Sequence, residues 1–269
     1  MVRGLLVRCA AVVVAAGAML GIAEARSLDD IVKQGVIRIG INPNFPPNSS
    51  RNDKGEWEGF DIDVGNKIAE AMKIKVEWVP TETPQRVPFL MADKIDISLG
   101  ALTRNSERAK LIEYTVPLHT EVLAVLTTDK VDIKSWKDLD DGKYTLANMR
   151  GNWSVDWLKQ QLPKAKLELV DTIADTVRLV GQGRADAIVE NIDFFMAQTK
   201  NYPDVKWKVL PDPIDVSYDA IGVQRGNYPL RDLLNIVLYN LHSSNYVNER
   251  WEKWYGAPML VKIVPNPYF

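Results

Sequence analysis

Cysteine and histidine are almost missing: the 269 residues hold one Cys and two His. A structural zinc site draws about four Cys or His ligands, and no Cys-x-x-Cys pair exists for dithiol chemistry, so no metal or cofactor is expected. A charge excess is also lacking. Lys and Arg number 33 against 35 Asp and Glu, a net charge of −2, which leaves no electrostatic footprint for nucleic acid or an anionic membrane. What is present, 46% hydrophobic and 25% charged residues, describes an ordinary globular chain of one or two domains and excludes disorder and collagen.

Long hydrophobic runs are absent too. Arg3 and Arg8 precede an apolar stretch from Cys9 to Ile22 that ends in Ala23-Glu24-Ala25, the three-part plan of a secretory signal peptide. The stretch is about 14 residues, shorter than the roughly 20 a helix needs to cross a bilayer. Residues 1–25 are therefore expected to be removed on export to an oxidising compartment, with an uncleaved anchor as the alternative. Cleavage after Ala25 leaves 244 residues with no cysteine and a net charge of −3. Such a chain is stabilised by its cores rather than by disulfides.

Along the mature chain the apolar pattern alternates between strand and helix. An amphipathic helix at Leu28 to Gln34 precedes the β-branched run Val36 to Ile41, a buried strand. The Pro-rich stretch Asn42 to Ser50 breaks regular structure, and Asp53 to Glu58 reads as a hairpin turn. Asp61 and Asp63 open a helix with Val64, Ile68 and Met72 on one face, and the acidic pair at its positive end. A strand at Val76 to Val79 follows. Strand, helix, strand implies a parallel α/β sheet.

A second series runs through strand Lys143 to Ala147, helix Val155 to Gln161, strand Leu167 to Val170 and helix Ile173 to Gly181. Leu90 to Ile97 and Val180 to Ala187 share one pattern at an offset of 90 residues: helix end, tight turn, basic residue, apolar residue, then an Asp opening a strand. The shared unit suggests two α/β lobes facing a cleft, where ligands sit beyond the carboxyl ends of strands. A helix from Pro229 to Leu241 buries Leu230, Leu233, Leu234, Val237 and Leu241, and a last one ends at Gly256, its C-cap.

Four motifs carry a resemblance. Gly59-Phe60-Asp61-Ile62-Asp63-Val64, Gly100-Ala101-Leu102-Thr103-Arg104-Asn105-Ser106-Glu107-Arg108, Glu113-Tyr114-Thr115-Val116-Pro117-Leu118 and Lys253-Trp254-Tyr255-Gly256 resemble, in order and spacing, the family-3 solute-binding proteins of polar amino-acid ABC importers. The resemblance implies the type II periplasmic binding fold: α/β, two lobes joined by two crossover hinge strands. Lobe one would be residues 28–120 plus 218–269, and lobe two 121–217. The implied protein is a monomer that captures a small amino acid, polar or acidic by preference, and hands it to membrane permease subunits after lobe closure.

By that resemblance Arg108 grips the ligand α-carboxylate, for which a planar guanidinium is suited, and the short helix starting at Asn105 or Ser106 adds backbone amides. Thr103 supplies a hydroxyl, with Gly100 and Ala101 supplying backbone groups. Phe45, beside two prolines, stands where the family stacks an aromatic on the ligand. Arg86, in Thr83 to Leu90, resembles the arginine that holds a side-chain carboxylate in acidic-amino-acid binders, although position 42 is Asn where those binders carry Lys or Arg. In lobe two, Gly151-Asn152-Trp153, with Ser154 after it, replaces the usual Gly-x-Thr. Trp153 could stack on a ligand or pair with Trp157 on a helix face.

Asn191 stands where the family commonly has the Asp that meets the ligand α-ammonium. A neutral amide cannot neutralise that charge, so Glu190 or Asp193 turns inward, or the ligand lacks an ordinary α-ammonium. The competing class is an enzyme. Periplasmic cyclohexadienyl dehydratases share this fold, and Glu190 or Asp193 with a pKa raised by burial could serve as their general acid. No nucleophile, base and orienting group can be assembled around His119 or His242 from spacing, so no catalytic residue is assigned. A sensory domain would require a tethering or signalling module, and the sequence shows none.

Overall fold

The computed structural model describes residues 26–150 and 152–266, with the backbone but not the side chain of Trp153. The signal-peptide expectation for residues 1–25 lies outside the described residues.

Helix α1 (Leu28–Gln34) starts where the Ser27 hydroxyl accepts from the Asp30 amide and stops at Gly35, which takes the left-handed conformation at φ 68°. Strand β1 (Val36–Ile41) follows, then a hairpin of β2 (Ser50–Arg51) and β3 (Trp57–Glu58), helix α2 (Phe60–Met72) and strand β4 (Lys75–Pro80). Next come α3 (Arg86–Met91), β5 (Ile97–Ser98), α4 (Ser106–Ala109) and the 17-residue strand β6 (Ile112–Thr128). The second series is β7 (Thr145–Met149), α5 (Trp153–Gln161), β8 (Lys166–Val170), α6 (Ile173–Gly181), β9 (Ala187–Asn191) and α7 (Ile192–Thr199). The chain closes with β10 (Trp207–Val209), β11 (Asp215–Gln224), α8 (Tyr228–Ser243) and α9 (Tyr246–Tyr255). The two expected strand and helix series thus form, with ends shifted by one or two residues.

All but the small hairpin join one sheet, ordered β4-β1-β5-β11-β6-β9-β7-β8, with β10 on β6. Strand β1 is parallel to β4 and β5, and β7 is parallel to β8 and β9. The triplets meet through β11 and β6, which pair antiparallel with each other and with β5 and β9 respectively. Parallel strands are covered on both faces, hence their continuous apolar sequence. Ile37, Ile39 and Ile41 of β1 are fully buried with Phe60 and Ile68 of α2, and Leu146, Leu158 and Val189 form a second core under β7. Each such side chain contributes on the order of 1.5–3 kcal/mol of burial.

The 90-residue sequence match is a structural match. Asp93 and Gly183 both sit in left-handed turns, at φ 52° and 71°. Lys94 N donates to Phe89 O as Arg184 N does to Leu179 O. Asp96 and Asp186 then each clamp the first strand of their triplet: Arg38 N donates to Asp96 Oδ2 at 2.7 Å, and Thr145 N to Asp186 Oδ2 at 2.7 Å.

Candidate ligand site

A cavity of about 160 Å³ opens beyond the carboxyl ends of β1, β5, β7 and β9, the place expected for an open α/β sheet. Phe45, Arg86, Gly100, Ala101, Thr103 and Arg108 line one side of it, and Glu190 and Asn191 the other. Surface depressions of about 400 Å³ also exist, one around Arg104, Ser106 and Tyr218, but they gather no buried charges.

The first wall is built by a turn. Gly100 and Ala101 follow β5 in successive left-handed conformations, at φ 89° and 53°. For Ala101 this conformation costs about 1–2 kcal/mol relative to an extended or helical one. The turn aims both carbonyls at Arg86, whose Nη1 donates to Gly100 O and, at 2.9 Å, to Ala101 O, while Nε donates to Thr83 O at 3.2 Å. Burial, helped by the positive charge of Arg108, lowers the Arg86 pKa to about 10. Asp61, at the start of α2, is buried beneath this turn. Loss of water raises its pKa to about 8, against the Gly100 amide and Arg86, which favour the charged form.

Arg108 is half-buried in the four-residue helix α4, which Asn105 caps by accepting from the Arg108 amide at 2.8 Å. Its Nη1 donates to Thr103 O at 3.0 Å, and the Tyr114 hydroxyl donates to the same carbonyl at 3.2 Å. Thr103 is itself fixed by a bridge to Asp219 on β11. The guanidinium is therefore oriented by a backbone oxygen rather than by a carboxylate, which leaves its charge uncompensated at the cavity wall.

On the other wall Glu190 accepts from Asn152 Nδ2 at 2.8 Å, from the Asn191 amide at 2.9 Å and from the Ser154 hydroxyl. Burial raises its pKa, and these three bonds oppose the rise. Ser154 is fully buried behind Glu190 and does not line the cavity, because its place in the first turn of α5 turns its hydroxyl toward the sheet. The Trp153 side chain lies outside the described residues. Asp193 does not line the cavity either: one oxygen accepts from the Val122 amide at 3.2 Å, and burial raises its pKa to about 6. Phe194 follows in α7 and packs on Phe45, ring centroids 4.9 Å apart.

Sequence reasoning missed Glu121. It lies on β6, is buried, lines the cavity, and accepts from Asn191 Nδ2. The available signal was a carboxylate directly before the apolar run Val122 to Leu126, with His119 and Thr120 ahead of it. Thr83, Asn152, Ile173, Phe194 and Phe195 also line the cavity without having been assigned a role. His119, Glu121 and Asp219 bring donor atoms within 4.8 Å of one another on adjacent strands, a compact set of metal-ligating types. His119 Nδ1 is 3.6 Å from Asp219 Oδ2, and burial lowers the histidine's pKa, which favours neutral imidazole.

Residues 37–257 match the bacterial extracellular solute-binding proteins, family 3, and the chain belongs to that family. A probable amino-acid ABC transporter-binding protein of Haemophilus influenzae is 26% identical over 233 residues, 85% of this chain and 88% of that one. A cyclohexadienyl dehydratase of Pseudomonas aeruginosa is 22% identical over 254 residues, 94% of each chain. The solved structure of an ancestral cationic amino-acid solute-binding protein superposes with a TM-score of 0.75 at 28% identity, covering 84% of this chain and 98% of that one. The fold is accordingly the two-lobe type II periplasmic binding fold with two crossover strands. Among the described residues no helix is long and apolar enough to cross a membrane.

Proposed function

We propose that the mature chain is a periplasmic receptor that captures one small amino acid in this cavity and presents it to the permease of an ABC importer. The carrying observation is Arg108, a half-buried guanidinium on the cavity wall oriented by the Thr103 carbonyl. It is suited to pair with an α-carboxylate through two parallel hydrogen bonds. The lobes divide at residues 28–120 plus 218–269 against 121–217, so that β6 and β11 are the hinge strands. Residues 1–25 serve as the export signal, cleaved near Ala25.

An acidic ligand loses support, because Arg86 spends Nε and Nη1 on the carbonyls of Thr83, Gly100 and Ala101. Calorimetry with the 20 common amino acids tests the reading. Arg108→Ala is expected to weaken the best ligand at least about 30-fold, the scale of an unpaired charge-assisted contact. Unchanged affinity would remove the clamp.

A dehydratase reading has one observation in its favour: Asp193, with its pKa near 6, and Glu190 hold protons more readily than ordinary carboxyl groups. Against it, Glu190 is tied by three donors and Asp193 faces the backbone of β6. Turnover of prephenate or arogenate that Glu190→Gln abolishes would establish the enzyme.

A further inference from the structure

Five large apolar side chains line the cavity: Phe45 after β1, Met149 at the end of β7, Ile173 at the start of α6, and Phe194 and Phe195 in α7. The last two are buried, and the other three are half-buried. Phe45 and Ile173 pack on the main core and keep their remaining surface at the cavity. Apolar surface left open inside a cleft favours an apolar occupant, by about 25 cal/mol for each Å² covered.

The polar lining has little to give to a ligand side chain. Thr83 accepts from Asn42 Nδ2 at 3.1 Å, Arg86 holds three carbonyls, and Asn152 gives its Nδ2 to Glu190. Glu190 accepts from three donors, while Glu121 accepts from Asn191 and shares a hydrogen bond with Asp219. Burial favours the protonated form of both glutamates. Arg108 and the unmet Oδ1 of Asn191 remain, and the carboxylate and ammonium common to all amino acids use them. A charged or hydroxylated side chain would then be buried without a partner, a cost that a hydrocarbon side chain avoids.

Size narrows the class further. The cavity, at about 160 Å³, is close to the ~150 Å³ that accepts a benzene ring in an apolar protein interior, and well below the roughly 300–1,000 Å³ of pockets for larger ligands. Phe194 sets that limit. Its ring lies on Phe45, centroids 4.9 Å and planes 37° apart, and a second neighbour is Tyr255, centroids 5.7 Å apart. Tyr255 is itself held: it stacks on Trp251 at 3.7 Å, and its hydroxyl donates to Asn48 Oδ1. Phe194 is thus wedged against Phe45 and takes the place beside that ring which a longer ligand would need. We infer that the five side chains form an apolar subsite, that the ligand is an amino acid with a short aliphatic side chain, and that Phe194 limits its length. This rests on the amino-acid reading above and sharpens it.

The test is calorimetry on the mature chain with the 20 common amino acids, ranked by side chain. Alanine, valine or leucine is expected to bind tightest, and valine at least about tenfold tighter than threonine, its hydroxylated isostere. Phe194→Ala is expected to move the ratio of phenylalanine to valine affinity at least about tenfold toward phenylalanine. A ring that only packs would instead weaken every ligand alike, and that outcome would overturn the length limit. If Phe194→Ala fails to fold, the wild-type rankings of valine against threonine and of leucine against phenylalanine decide. Tightest binding of a polar or charged amino acid, still dependent on Arg108, would overturn the inference and leave the amino-acid reading standing. Binding of none of the amino acids would overturn both.

Discussion

The two parallel triplets, β4-β1-β5 and β8-β7-β9, share a scaffold and differ in what they hold. In each, an aspartate after a left-handed turn accepts from the amide of the leading strand at 2.7 Å. In the first, Asp96 also receives Arg38, at 2.6 Å, and Arg26, at 3.1 Å, and its side chain is 1% exposed. In the second, no ion pair reaches half-buried Asp186 among the described residues, and its bond to Thr145 is the chief tie. The cavity side differs as well: the first half brings Arg86 and Arg108 to it, the second Glu190 and Asn191. A shared backbone unit thus fixes where the strands end, while the charge placed at those ends is set independently in each half.

The sharpest way to break this comparison is to remove both aspartates in turn. Asp96→Ala is expected to cost about 3–5 kcal/mol in urea unfolding, because it strands Arg38 and Arg26 with much less counter-charge. Asp186→Ala should cost only about 1–2 kcal/mol, the scale of one buried amide left unmet. Equal losses would show that the arginines add nothing.

Between these in size is a pH effect that separates the halves. Asp61 in the first half and Asp193 in the second have pKa values raised by burial, to about 8 and about 6. For a raised carboxyl the fold prefers the protonated form. Its stabilising contribution is therefore complete below the unfolded pKa near 4 and lost as pH rises through the folded value. Burial also raises the pKa of Glu121 and Glu190 and lowers that of His119 and His242, so the two aspartates are read from the difference between variant and parent: the stability due to Asp193 is expected to be lost between pH 4 and 6 and that due to Asp61 between pH 4 and 8, each on the order of a few kcal/mol. Asp193→Asn should flatten only the lower interval. Asp61→Asn should flatten both, even though Arg86 loses a counter-charge and Asp219 a like-charged neighbour. A slope above pH 6 that Asp61→Asn leaves unchanged would show that this group adds nothing to it.

Much of the framework was legible because it depends on local pattern. The run Val36 to Ile41, the capped helix Leu28 to Gln34 and the Asp-opened units at Asp96 and Asp186 are each specified by a few adjacent residues. Eight of the ten expected site residues lie at one cavity, because the motifs that carry them end strands or begin helices at the same side of the sheet. The misses involve long-range juxtaposition. Ser154 reads as a cavity residue by its place after Gly151, but the first turn of α5 points it behind Glu190. Glu121 belongs to no local motif, and its importance comes from lying across β6 and β9 from Asn191, 70 residues away. Asp61 sits in a recognisable motif, yet nothing near it in sequence says that the Gly100 turn will seal it from water.

Strand β6 has a consequence for how the molecule breathes. Among the described strands it alone pairs with three others, β9, β10 and β11, while β4 and β8 lie at the two rims of the sheet. Amide exchange with solvent proceeds by local opening, and such openings begin where few bonds must break. Protection should accordingly form a single ridge along residues 112–128 and fall away toward both rims. The slowest protons would lie along the middle of this one strand, so that a pulse of deuterated water would mark it last.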